Sequence, residues 1–263
     1  MKKQLLMLLS LLMISVVALV GCTSNKSTVE DKRPLGVIGA MEEEVEILKK
    51  NMDIKEEKEI AGMTFYVGTL HDKDIVLVRS GVGKVNMAAC TQILIDEFNV
   101  EALVNSGVSW TLDPELNLGD IIISTNAVQH DFDTTACGGK VGEIERLGIT
   151  YFDADKELID IAVKAGESLD NVTIKEGTVA SGDVFVAGGE VADKIVENFG
   201  NVQAVEMEGA SMAHVAYLNK VPYVIIRSVS DKADGGAELS YEEFLPLAAK
   251  NASTLIDEFI KLY

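Results

Sequence analysis

Short apolar runs that stop at glycine or serine alternate with stretches of helical periodicity along most of the chain, and this alternation limits the fold more than any other feature. Leu35–Gly39 is such a run, followed by Ala40-Met41 and an acidic turn, Glu42-Glu43-Glu44. Carboxylates at a helix start complement the helix dipole, so the segment reads as strand, turn, helix. Residues 63–69 and 75–79 predict paired strands around a turn at 70–74. Further strands are expected at 102–105, ending at Ser106-Gly107, and at 121–128, 174–180, 202–205 and 223–227. Helices are expected at 85–98, 156–168, 190–199 and 210–218, with a long amphipathic one at 241–262 closing the chain. Strands alternating with helices predict an α/β fold, a three-layer α/β/α sandwich around a mixed β-sheet core. There is no internal repeat, and residues 34–263 suit one domain.

The first residues stand outside that pattern. Lys2 and Lys3 precede an uncharged run over residues 5–20, the length of a secretory apolar region and short for a stable membrane span. The run ends in Leu19-Val20-Gly21-Cys22, which resembles the lipobox of bacterial lipoproteins. That resemblance implies a signal peptide at 1–21, lipidation of Cys22 and an exported protein anchored to the bacterial membrane. Residues 23–33 (TSNKSTVEDKR) are polar and aperiodic, so residues 22–33 read as the lipidated cysteine and a flexible tether.

The net charge is −19, and loss of Lys2 and Lys3 with the signal peptide takes it to about −21. Such acidity argues against nucleic acid as a partner and against direct adsorption to anionic lipid. Cys90 and Cys137 are expected as two buried thiols. The three histidines and the cysteines show no metal-ligand spacing, and no metal or cofactor is called for. His130-Asp131 reads as surface polarity in a loop.

In α/β folds ligands gather at the carboxyl ends of strands. The segments expected there are 41–44, 80–84, 106–110, 181–186, 206–208 and 227–231, and several carry charge beside glycine or serine. Gly81-Val-Gly-Lys84 fits neither common phosphate-loop pattern, because Asn86 stands where the last glycine should be. Singly, Glu42-Glu43-Glu44 is an ordinary helix start, and Ser181-Gly-Asp183 and Ser230-Asp231 are ordinary caps.

Taken together, GVIGAMEEEV (36–45), RSGVGKVNMA (79–88), SGDVFV (181–186), VEMEGASMAHVA (205–216), IRSVSDKAD (226–234) and LSYEEFLPLAAK (239–250) resemble the 5′-methylthioadenosine/S-adenosylhomocysteine nucleosidases. These form a branch of the purine nucleoside phosphorylase superfamily, and the likeness runs from about Leu35 to the C-terminus. It implies a phosphorylase/hydrolase-like fold and hydrolysis of the N-glycosidic bond, with adenine released. By motif, Glu44 would activate the attacking water, and Asp231, oriented by Ser230, would protonate the leaving purine at N7. Glu208 would bind the ribose hydroxyls and Arg227 would hold the water and the carboxylates. Met207 would lie against the ribose, Phe185 would stack on adenine and the Val186 backbone would read the base edge. Met41, Val82 and Tyr241 would surround the ribose and the 5′-thioether. The resemblance also implies a homodimer.

The residue types suit the chemistry. Breaking an N-ribosyl bond builds positive charge on the ribose while electrons move into the purine. An acid neutralises the leaving base and a carboxylate accepts a proton from water, the two-carboxylate logic of inverting glycosidases. Asp231 must then keep a proton near neutral pH. A phosphorylase would need cations and N–H groups for a dianion, which a carboxylate at Glu44 would repel. Arg79 is the cation that could speak for phosphate.

One segment departs from the resemblance. Where such proteins commonly carry paired glycines after the strand ending at Asn105, this chain has Trp110-Thr111. The indole of Trp110 could turn outward, reshape specificity at the ligand, or abolish catalysis. Three functions follow: an exported nucleosidase, a non-catalytic nucleoside-binding lipoprotein, and a phosphate-dependent phosphorylase.

Overall fold

The computed structural model describes residues 33–232 and 237–263, with the side chains of 232 and 237–241 excluded. The expected signal peptide, Cys22, the tether through residue 32 and the side chain of Tyr241 lie outside the described residues. Strand β1 (Leu35–Gly39) leads into helix α1 (Glu42–Asn51), and β2 (Asp53–Ile60), β3 (Met63–Leu70) and β4 (Lys73–Arg79) follow as a meander. Next come α2 (Lys84–Phe98), β5 (Ala102–Thr111), β6 (Ile121–Gln129), the short β7 (Phe152–Asp153) and α3 (Lys156–Gly166). The chain ends with β8 (Ile174–Ser181), α4 (Gly189–Phe199), β9 (Ala204–Glu206), α5 (Gly209–Asn219), β10 (Tyr223–Lys232) and α6 (Ala237–Leu262).

The strands form one mixed sheet in the order β10-β6-β8-β9-β5-β1-β4-β3-β2, with β7 on β6 and a further pairing of β10 with β5. That pairing closes β5, β10, β6, β8 and β9 into a ring, and β1 to β2 extend from it. Parallel neighbours such as β1–β4, β1–β5 and β10–β5 lie beside antiparallel ones such as β2–β3 and β10–β6. One face packs Met87, Cys90 and Leu94 of α2 and Met212, Ala213 and Ala216 of α5. The other packs Val45 and Leu48 of α1, Leu158 and Ala162 of α3, and Leu255, Ile256 and Phe259 of α6. These two helical layers on a mixed sheet are the expected α/β/α sandwich.

Several strands differ from the sequence reading: β7 was not expected, β10 runs five residues beyond Arg227, and β2 and β5 differ most. Residues 53–60 (DIKEEKEI) carry too few apolar positions to read as a strand, yet they pair with β3 as an exposed outer strand. Lysine and glutamate on such an edge discourage pairing with other chains. Strand β5 does not stop at Asn105 but continues through Gly107 to Thr111, because β10 hydrogen-bonds alongside it to Lys232. This extension carries Val108, Ser109 and Trp110 to the site. Of the two described cysteines Cys90 is buried; Cys137, expected buried, is exposed on a Thr- and Gly-rich turn with no apolar face to bury it.

Candidate active site

Glycine decides how closely α1 can fold back on β1. A Cβ at Gly39 would lie 2.7 Å from Val45 Cγ1 and 3.0 Å from Glu44 Cβ, so only glycine allows the helix to start there. The result places Glu44 in the third position of α1, buried at 3 % exposure. Its Oε2 accepts from the N–H groups of Ala40 (2.6 Å) and Met41 (2.9 Å), and its Oε1 accepts from Val108 N–H (3.0 Å). Burial raises the Glu44 pKa, against the opposing pull of Arg227 and those three N–H groups.

The carboxyl ends of β1, β5, β9 and β10 converge on a cavity of about 190 Å³. Met41, Glu44, Trp110, Met207, Glu208, Ser230 and Asp231 line it, and Val82 and Phe185 reach it from the loops after β4 and β8. The Ser230 hydroxyl donates to Asp231 Oδ1 at 2.7 Å, while Oδ2 has no partner among the described residues. Burial pushes the Asp231 carboxyl up to about 6. Glu208 Oε1 accepts from Gly83 N–H at 2.7 Å. Burial, and then the neighbouring Glu206 carboxylate, push the Glu208 carboxyl up to about 8.

This geometry corrects the place expected for Arg227 and decides among the alternatives for Trp110. Arg227 does not line the cavity; it lies fully buried behind it, on Asn105 Oδ1 (2.5 Å) and Glu206 Oε2 (2.5 Å). Burial alone would lower its pKa, but the carboxylates of Glu206, Glu44 and Glu208 raise it. Val186 is also absent from the lining, and its side chain packs with Trp110 and Val205. Trp110 does not turn outward: it is 4 % exposed and forms part of the cavity wall.

Glu206 is the central residue that motif reading passed over. It accepts from Glu208 N–H (3.1 Å), from Gly209 N–H (2.8 Å), from the Ser181 hydroxyl and from Arg227. One carboxylate thus caps α5 and neutralises the buried guanidinium. Its sequence signal was its place two residues before Glu208, just ahead of a helix start. His130-Asp131 is not loose surface polarity either. His130 is buried, and Asp131 accepts from Lys84 Nζ at 2.5 Å and from Asp183 N–H at 2.9 Å. Asp183 in turn accepts from Lys84 N–H at 2.8 Å, so the pair ties the loops bearing Val82 and Phe185 together.

Gly107 has the tightest approach at the site. A Cβ there would lie 2.6 Å from Glu44 Oε1 and 3.0 Å from Arg227 Nη1. Both side chains are pinned by hydrogen bonds and cannot swing clear. Gly107→Ala is therefore expected to displace Glu44 and to lower kcat by about a hundredfold, the usual scale for an ångström of misplacement. Steady-state kinetics on the folded variant check this.

The model of the Phosphorylase superfamily matches residues 34–261. A 5′-methylthioadenosine/S-adenosylhomocysteine nucleosidase of Psychromonas ingrahamii is 45% identical over 226 residues, 86% of this chain and 97% of that protein. Among solved structures, the nucleosidase of that name from Neisseria meningitidis, in complex with methylthio-immucillin-A, aligns with a TM-score of 0.84 at 37% identity. That alignment covers 87% of this chain and 99% of the other. The corresponding enzyme of Colwellia psychrerythraea, in complex with adenine, aligns with a TM-score of 0.84 at 39% identity, over 88% and 96% of the two chains. Within the superfamily, the chain belongs to the 5′-methylthioadenosine/S-adenosylhomocysteine nucleosidases.

Proposed function

We propose that the protein hydrolyses the N-glycosidic bond of 5′-methylthioadenosine and S-adenosylhomocysteine, releasing adenine. The observation that carries this reading is the placement of a buried base, Glu44, and a buried acid, Asp231, on the walls of one cavity. Asp231 keeps one oxygen on Ser230 and has the other for the purine, so a proton held there passes to N7 as the bond breaks. Glu44 accepts the proton of the water that attacks the anomeric carbon. Glu208 receives the ribose hydroxyls beside Met207. Each proton transfer is worth about 10²–10⁴-fold in rate.

The same geometry favours water over phosphate. Glu44 sets a carboxylate on the cavity wall, and the guanidinium of Arg227 is neutralised by Glu206. Arg79, the candidate phosphate ligand, is exposed at the end of β4, does not line the cavity and faces Glu42 at 3.6 Å. Adenine release from both nucleosides in phosphate-free buffer tests the reading, and an absolute phosphate requirement would overturn it.

Two further parts of the reading concern where the enzyme acts and with what. The half-exposed Val82 and Phe185, beside exposed Val85 and Val184, support a homodimer in which a second copy covers this side of the cavity. The Leu19-Val20-Gly21-Cys22 segment supports export and lipidation of Cys22, and on that reading the enzyme acts on nucleosides outside the cytosol. Cys22→Ala is expected to abolish labelling by a clickable fatty acid and to move the activity from the membrane fraction to the soluble one. Labelling that persists in that variant would sink the anchor.

A further inference from the structure

Trp110 occupies a defined end of the cavity. In the sheet its Cα is the partner of Asp231 on β10 and of Val205 on β9, so it stands one strand from the acid and one from the strand leading to Glu206. Met41 and Val108, also on the cavity wall, pack instead with Leu245, Ala248 and Ala249 of α6. The leaving base must meet Asp231, so the indole walls the base end. The ring is fixed as well as buried. It belongs to a buried cluster with Val128, Ala180, Val186, Ile195 and Val205, and close packing of such interiors resists displacement of the ring. Its Nε1–H is buried within that packing, without a partner among the described residues. The cavity it bounds, about 190 Å³, is smaller than the roughly 300 Å³ at which ligand pockets usually begin.

We propose that Trp110 determines specificity for the base: its packed ring closes the base end to purines carrying added ring atoms. The proposal rests on the nucleosidase reading and concerns the base alone, leaving the 5′ substituent to the other end of the cavity. A base enlarged at the ring edge would have to displace a packed indole, whereas a longer 5′ group would not meet it.

The test uses the full-length protein with three nucleosides: methylthioadenosine, its 1,N6-etheno derivative with an enlarged base, and S-adenosylhomocysteine with an enlarged 5′ group. Wild type is expected to cleave the first and third and to reject the second. Trp110→Ala is expected to raise kcat/KM for the etheno substrate relative to methylthioadenosine by at least about tenfold. The ratio of methylthioadenosine to S-adenosylhomocysteine should stay within about twofold. Trp110→Phe keeps a ring in the cluster but is smaller than indole; it should raise the etheno ratio less, by about two- to tenfold. Thermal melting establishes that each variant is folded, and Trp110→Phe carries the test if the alanine variant is not. An unchanged etheno ratio in the folded variants, or a change confined to the 5′ ratio, overturns the proposal. Failure of wild type to release adenine from any substrate would instead sink the nucleosidase reading. Equilibrium binding of the same three nucleosides would then read base selectivity directly.

Discussion

Asp231→Asn is expected to lower kcat for adenine release by about 10²–10⁴-fold while leaving the fold intact. Asparagine has the shape of the aspartate and can still accept the Ser230 hydroxyl, now 2.7 Å from Oδ1. What it lacks is a proton to give. The second oxygen of Asp231 has no partner among the described residues, so no neighbour substitutes for it. The pH dependence follows from the same burial. A carboxyl raised to about 6 is protonated below that pH and loses its proton above it, so kcat/KM should fall as pH rises through this region. On the acid side the rate should rise as Glu44 ionises, at a pH above the ordinary carboxylate range because burial raises its pKa. The asparagine variant should lose the alkaline limb and keep the acid one. Rates measured between pH 4 and 9 with a fixed concentration of methylthioadenosine below KM check both limbs.

Arg227→Met should be the most damaging single change to stability. Arg227 and Glu206 are 2% and 3% exposed, and their ion pair lies at 2.5 Å. Removing the guanidinium leaves the Glu206 carboxylate buried with only hydroxyl and backbone partners. Breaking such a pair from one side costs about 3–5 kcal/mol. For a domain of this size about 2–4 °C of Tm is lost per kcal/mol, so Tm should fall by roughly 6–20 °C. Asn105 would lose its partner as well, and Asn105 bridges β1 through the Ile38 carbonyl at 3.0 Å. Calorimetry of the variant, with and without Glu206→Gln in the same chain, separates the effect of the stranded charge from that of lost packing. The double variant should recover part of the loss.

Much of this architecture was legible from apolar periodicity, because strands buried on both faces, such as β1 and the first residues of β5, leave short apolar runs. Charged β2 leaves no such run, and only its pairing with β3 reveals it. The carboxyl end of β5 was hidden for another reason: Ser106 and Gly107 read as a turn, while in the fold β10 supplies the ladder that keeps them extended. Motif resemblance picked out Glu44, Glu208, Ser230 and Asp231, which do face one cavity. It gave Arg227 a place beside the water, whereas long-range pairing with Glu206 and Asn105 holds it behind the wall. Glu206 and Gly107 act through contacts with residues distant in sequence, and neither a motif nor a period encodes those contacts. Trp110 was visible as an oddity, but only the register of β5 against β10 and β9 assigns it to the base end.

The most direct test of the account is to follow methylthioadenosine turnover in ¹⁸O-labelled water, with inorganic phosphate absent and then present. Attack by water activated at Glu44 predicts adenine and methylthioribose carrying one ¹⁸O at the anomeric position, at a rate indifferent to phosphate. A phosphorylated, unlabelled sugar product, formed only when phosphate is added, would contradict it.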